Sequence, residues 1–168
     1  MKQSNTSKYS YLAGIIDCDG WIIIVERNRH KHTKPTFNVQ VGLKQKDGRI
    51  VDWLYGNFGG NVYVDKRRLF TWLLPHSKNI YILKRILPFL KYKKKQAEIA
   101  IRLQTHIDKG YTGKRRNTLL SNKEFEIRKQ LYQQIKEEKK NIIPCAVVEN
   151  KRDNPSEMKE SDVPNLKE

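Results

Sequence analysis

The stretch that most constrains this chain is Tyr11-Leu-Ala-Gly-Ile-Ile-Asp-Cys-Asp-Gly-Trp21. Leu12, Ile15 and Ile16 fall at helical spacing and make one apolar stripe. Ala13, Gly14 and Cys18 are small, and Gly14 and Cys18 stand four apart on one face. A glycine inside a helix costs roughly 1 kcal/mol against alanine, and close approach of a second backbone is the natural compensation. Gly20 stops the helix, and Trp21-Ile-Ile-Ile-Val25 has strand character. Asp17 and Asp19 are thereby delivered to the C-terminal end of the helix, where carboxylates oppose the macrodipole unless a cation lies nearby. The chain therefore contains a helix built to pack on another helix and ending in groups that invite a metal.

Charge narrows the partner. Across 168 residues there are 34 Lys and Arg against 18 Asp and Glu, a formal net charge of +16. The length suits one domain with a real core, and so large a basic excess on a folded chain points to a polyanion, above all nucleic acid. No apolar run approaches the roughly 18 residues that a membrane span needs, so no membrane partner is expected. Met1 to Ser10 is polar and lacks the apolar core of a secretion signal. Cys18 and Cys145 lie in unrelated contexts and form no metal-ligand spacing. An intracellular, reducing setting follows, and the abundance of Lys, Asn and Ile points to an AT-rich genome such as that of a mitochondrion or chloroplast.

The first strand is expected over Trp21 to Arg29, followed by a basic turn holding His30, Lys31, His32, Lys34 and Pro35. His30 and His32 find no third ligand at suitable spacing, so a solvated or DNA-facing turn is the better reading. The second strand, Thr36 to Lys44, alternates cleanly. Phe37, Val39, Val41 and Leu43 point one way, and Thr36, Asn38, Gln40 and Lys44 the other. Asn and Gln on the outer face can pair bidentately with adenine edges in a major groove; Arg27 and Arg29 are the corresponding outward residues of the first strand.

A helix is expected from Asp47 to Tyr55, with Ile50, Val51 and Leu54 inward, ending at the glycines of Gly56 to Gly60. Two strands follow, Asn61 to Asp65 and Leu69 to Leu74, joined by Lys66, Arg67 and Arg68. Val62 and Val64 are expected to be buried, with Tyr63, Asp65 and Arg67 outward. Ser77 is the expected N-cap of an amphipathic helix that breaks at Pro88. A further helix spans Gln96 to about Lys109, with Ile99, Ile101 and Leu103 available for packing. A basic loop with Lys114, Arg115 and Arg116 leads to Ser121-Asn-Lys-Glu124, a capping box opening a polar helix to about Asn141. The expected division is an N-terminal arm over 1–8, one domain over 9–141 and a polar tail over 142–168. Two strand pairs, each covered by a helix, give an α+β unit with one sheet face open.

Leu12-Ala-Gly-Ile-Ile-Asp-Cys-Asp-Gly20 resembles the motif of the LAGLIDADG homing endonucleases, with Ile for the second Leu and Cys for the second Ala. Pro88-Phe-Leu-Lys-Tyr-Lys-Lys-Lys-Gln-Ala97 resembles a second family segment, and the resemblance runs from about Tyr9 to Leu103. It implies an αββαββα fold with a curved antiparallel DNA-binding sheet, here followed by C-terminal helices. It also implies that Asp19 is a metal ligand, joined by the backbone carbonyl of Cys18. Lys93 aligns with an active-site lysine, Gln45 with a glutamine that holds an active-site water, and Arg49 with an arginine that orders solvent.

Metal-assisted hydrolysis of a phosphodiester needs acidic oxygens on divalent ions, and Mg²⁺ (or Mn²⁺) keeps several waters, so few carboxylates suffice. One motif supplies one Asp19, and cutting two strands needs two sites. A homodimer through Leu12, Ala13, Gly14, Ile15 and Cys18 answers this, as the resemblance implies for single-motif members. Asp17, set before the end of the helix, has a structural role. A two-fold protein calls for a roughly palindromic double-stranded DNA target, and the resemblance implies staggered double-strand cuts at an intron insertion site. Intron RNA, bound by a maturase, and plain DNA binding are the alternative functions on the same scaffold.

Overall fold

The computed structural model describes residues 5–28, 34–111 and 120–140. In order, the elements are α1 (Asn5–Cys18), β1 (Gly20–Arg27), β2 (Thr36–Gln45), α2 (Gly48–Phe58), β3 (Asn61–Val64), β4 (Phe70–Leu73), α3 (Asn79–Ile86), α4 (Lys94–Tyr111) and α5 (Asn122–Lys140). The αββαββα order expected from the sequence is present, followed by α4 and α5. Arg29, His30, His32, Lys114, Arg115, Arg116 and the tail over 142–168 lie outside the described residues. Among the described residues no helix is long and apolar enough to cross a membrane.

The strands form one antiparallel sheet in the order β1-β2-β4-β3. Strand alternation decides which face is covered. Ile22 pairs with Val41 and Ile24 with Val39, while Leu43 pairs with Trp72; all six are buried, Leu43 and Trp72 completely. Burying side chains of this size stabilises by roughly 1.5–3 kcal/mol each. The helices pack on this face, with Leu12, Ala13 and Ile16 of α1, Val51 and Leu54 of α2 and Leu83 and Ile86 of α3 in the same core. Ile99 and Leu103 of α4 are buried there too, and Ile101 packs beside them. Helix α5 closes the core over β2 through Phe125 and Tyr132, whose rings lie 5.9 and 5.4 Å from that of Phe37.

The paired residues of opposite parity, Ile23 with Gln40, Val25 with Asn38, and Lys44 with Thr71, project from the other face. That face carries no helix among the described residues. Past Leu74 the chain leaves the sheet. The Leu74 N–H donates to Val41 O at 2.9 Å, and the buried Asn79 then donates Nδ2–H to Val39 O at 2.8 Å. A side chain thus takes over a ladder bond that the strand abandons.

Several local expectations are corrected. Helix α1 begins at Asn5. Asp47 caps α2 by accepting from Arg49 N–H, and α2 runs through Gly56 to Phe58. Val62 and Val64 are exposed, at 38% and 58%. They share a face with Trp72 and Phe70, but β3 is the outermost strand and overhangs the helix layer. Ser77 is not a cap: His76–Lys78 forms a 3₁₀ turn, and α3 starts at Asn79 with no side-chain cap. In the capping box of α5, Ser121 Oγ accepts from Glu124 N–H at 3.2 Å. The Glu124 carboxylate does not reach back; it accepts from Arg128 Nε at 2.9 Å and faces His106 Nδ1 at 3.4 Å.

Candidate active site

Asp17, Cys18 and Asp19 end α1, and each is placed by a different constraint. The Asp19 N–H still donates to Ile15 O at 3.0 Å, so Asp19 closes the last helical turn before the chain reverses. The next residue allows no side chain, since a Cβ on Gly20 would come within 2.8 Å of Ile16 Cα and 3.0 Å of Gly42 O. Gly20 is needed for close approach of helix and strand rather than for a left-handed backbone, because its φ is not positive. Tight packing at Gly20 fixes Asp19 against the start of β1.

Asp17 turns inward. Its carboxylate accepts the Lys91 N–H at 2.6 Å and the Lys93 N–H at 2.9 Å, which clamps the Lys91–Lys93 segment to the end of α1. This is the structural role expected for Asp17. Lys93 answers from the other side: its ammonium donates to Ile16 O at 2.7 Å and Asp17 O at 2.5 Å. A cation on the last carbonyls of a helix satisfies orphan acceptors and complements the macrodipole. Burial pushes the Lys93 ammonium below its ordinary value, with the charges of Asp17, Cys18 and Asp19 opposing that shift.

Asp19 and Cys18 are exposed. Gln45, the last residue of β2, donates Nε2–H to Asp19 Oδ2 at 2.8 Å. The N-cap of α2 is Asp47. Asp19 Oδ1 accepts no bond among the described residues, which leaves an outward-facing acceptor. Three of the four expected catalytic side chains, Asp19, Gln45 and Lys93, thus meet at one helix end.

Arg49 does not join them. Its guanidinium folds back on its own helix start, with Nε 3.1 and 3.0 Å from the two oxygens of Asp47, and remains largely exposed. The sequence signal for this was Asp47 two residues before Arg49, a spacing that lets an N-cap carboxylate hold both the backbone and the side chain. The Arg49 side chain, through its bond to the Asp47 carboxylate, holds that group down to about 2.

Leu12 and Ala13, expected at an interface between copies, are buried completely in the core of their own chain. The face of α1 that remains outside is Tyr11, Gly14, Ile15 and Cys18, with Ile15 half-buried and the others exposed. A Cβ on Gly14 would meet nothing within 4 Å. Beside this face the ring of Trp53 on α2 meets Tyr11 edge-on at 4.7 Å.

On the open sheet face Arg27, Thr36 and Lys44 are exposed and Asn38 and Gln40 half-buried. Tyr63 of β3 shares that face, paired with Thr71, and is 54% exposed. Lys66, Arg67 and Arg68 sit exposed in the hairpin turn between β3 and β4. Asp65 organises that turn by accepting from Arg67 N–H at 2.8 Å and Leu69 N–H at 3.0 Å, and it pairs with Lys44 Nζ at 2.8 Å. Its carboxylate is lowered first by that Lys44 bond and then by the turn N–H groups. Sequence reading missed the outer row of β1. Trp21, Ile23 and Val25 face outward, but in a run that is apolar at every position the alternation is invisible.

No protein-family model matches the sequence, and no curated protein does. Solved structures do match. I-Vdi141I, described as an archaeal intron-encoded homing endonuclease complexed with DNA, superposes with a TM-score of 0.67 at 15% identity, over 80% of this chain and 86% of its own. The homing endonuclease I-CvuI, in complex with its target in the presence of Ca, gives 0.58 at 19% identity, over 75% and 95%. The homing endonuclease I-TnaI gives 0.55 at 17% identity, over 85% and 100%. At these identities the likeness speaks for the fold. The chain has the LAGLIDADG endonuclease fold and carries one copy of the motif, so the resemblance read from the sequence holds at the level of fold.

Proposed function

We propose that the chain is a site-specific, metal-dependent DNA endonuclease that acts as a homodimer and cuts both strands of a long, pseudo-palindromic duplex with a stagger, at an intron insertion site. The observation that carries this reading is the Asp19–Gln45 pair at the exposed end of α1, beside the Lys93 that neutralises that helix end. The solved relatives of this fold include homing endonucleases complexed with DNA, and the charge of +16 suits the same partner.

Among the described residues no three His, Cys, Asp or Glu converge. One chain offers a hard cation a single carboxylate, Asp19, with the carbonyl of Cys18 beside it. That donor set fits Mg²⁺ or Mn²⁺, which keep waters and take phosphate oxygens rather than demanding an all-protein cage. Bound there, the ion would supply Lewis-acid stabilisation of the phosphate and an acidified water. Gln45 orients the Asp19 carboxylate and retains its amide oxygen as an acceptor for water. Lys93 is a positioning residue that holds the end of α1 and adds positive charge near the phosphate. Arg49 contributes only if it leaves Asp47. The second Asp19 comes from a second copy through the Tyr11, Gly14, Ile15 and Cys18 face.

The test is incubation with insertion-site duplex and Mg²⁺, with chelated controls and with intron RNA in parallel. Metal-dependent cutting into two discrete fragments by wild type, lost in Asp19→Asn while binding persists, is the expected result. Tight binding of the RNA with no cutting of the duplex would replace this reading with that of a maturase.

A further inference from the structure

The open face is not uniformly polar. Its β1 row is Trp21, Ile23 and Val25, and its β2 row across the ladder is Gly42, Gln40 and Asn38. Trp21 packs beside Gly42 at one end: a Cβ on Gly42 would meet Trp21 Cζ2 at 2.6 Å, Trp72 O at 2.7 Å and Leu73 Cδ2 at 2.8 Å, so the glycine makes room for the ring. Beyond it come two cross-strand pairs of the same composition, Ile23 with Gln40 and Val25 with Asn38, each joining a branched apolar side chain to a carboxamide. All four are half-buried, with part of each surface facing solvent.

This composition matches one base pair. In a major groove an A·T pair shows the N6 donor and N7 acceptor of adenine beside the C5-methyl of thymine. A carboxamide takes the first two groups bidentately and an apolar side chain takes the third. Directly opposed residues hold their Cβ atoms about 5 Å apart, close enough for both to address one base pair or its immediate neighbour. Successive outward residues on a strand are about 6.6 Å apart, near two steps of about 3.4 Å on DNA. Guanine and cytosine edges offer the apolar partner no methyl. RNA offers none either, and its deep, narrow major groove excludes side chains.

We infer that Ile23–Gln40 and Val25–Asn38 are two readers of A·T pairs, each placing its apolar member on a thymine methyl, so that every half-site carries two A·T pairs about two steps apart. This rests on the proposed DNA-binding role and adds the bases that the sheet selects. It also gives the β1 row a function that excludes RNA as the preferred ligand of this face.

The experiment is selection of bound duplexes from a randomised library by the full chain, in EDTA so that no strand is cut. Affinities are then measured for the selected duplex with single thymines replaced by deoxyuridine, which keeps base pairing and removes only the methyl. Two positions per half-site are expected to lose roughly three- to fivefold in affinity, the worth of about one buried methyl. Ile23→Ala is expected to abolish the effect at one of them and Val25→Ala at the other. The inference is overturned if deoxyuridine at every thymine leaves wild-type affinity unchanged, or if both variants keep the full loss. A chain that selects no duplex sequence overturns the proposed function together with this inference. Because the probe changes the DNA, the wild-type result stands even if a variant folds poorly.

Discussion

Asp17 and Asp19 lie two residues apart and do opposite work. Asp17 spends both oxygens on backbone N–H groups, whereas Asp19 keeps one oxygen facing out. The inward turn of Asp17 was legible from its position before the end of the helix. The partners of Asp17 were not legible, because Lys91 and Lys93 are brought there by tertiary folding across more than seventy residues. Bonds from a carboxylate to amide donors stabilise by roughly 1.5–3 kcal/mol each, less where exposed. Asp17→Ala is therefore expected to lower unfolding stability by roughly 2–3 kcal/mol, read from the urea midpoint, and to cost activity through a displaced Lys93. A second residue-scale expectation concerns Asp47, whose carboxyl is held down to about 2 from 3.8. Its folded value is the lower one, so its support of α2 is complete above about pH 4 and fades as the pH falls towards 2. Titration of the Asp47 carboxyl resonance should show a midpoint near 2 that moves upward in Arg49→Ala.

At the scale of elements, strand β2 and helix α1 mark the limits of sequence reading. Strand β2 alternates with period two, and all four residues expected to point inward, Phe37, Val39, Val41 and Leu43, are buried. Helix α1 also yielded its helical identity, but its faces were assigned the wrong way round in part. Leu12 and Ala13 read as interface residues because small and apolar groups suit either a core or a partner helix, and only the sheet beneath decides. Val62 and Val64 failed for a related reason: an alternating strand gives parity, not the width of the helix layer above it. The exposed remainder of α1 carries a clear expectation. Gly14→Leu adds a side chain where the chain itself has nothing within 4 Å and replaces a poor helix former with a good one. Monomer stability should hold or rise by up to about 1 kcal/mol. The sedimentation mass should fall from about twice 19.9 kDa to the single-chain value, and double-strand cutting should disappear with it. A dimer that survives Gly14→Leu places the interface elsewhere.

For the whole molecule, the account depends on incompleteness. Among the described residues the end of α1 presents one exposed carboxylate, Asp19, with Gln45 bonded to it and Lys93 on the last helix carbonyls, and the open face of the sheet carries amides, cations and an apolar row. The fold was legible because motif, alternation and helix spacing agree over most of the described chain. The joint site was legible only in part, since Asp19, Gln45 and Lys93 come together but Arg49 is drawn away by Asp47. In the proposed homodimer, two such chains about a dyad would supply one Asp19 per strand. The most direct test is a linked dimer in which one protomer carries Asp19→Asn, assayed on a supercoiled plasmid bearing the target. The account predicts nicked circles from the mixed dimer, linear product from the wild-type dimer and neither from the doubly substituted one. Linear product from the mixed dimer, formed at the wild-type rate, would contradict it.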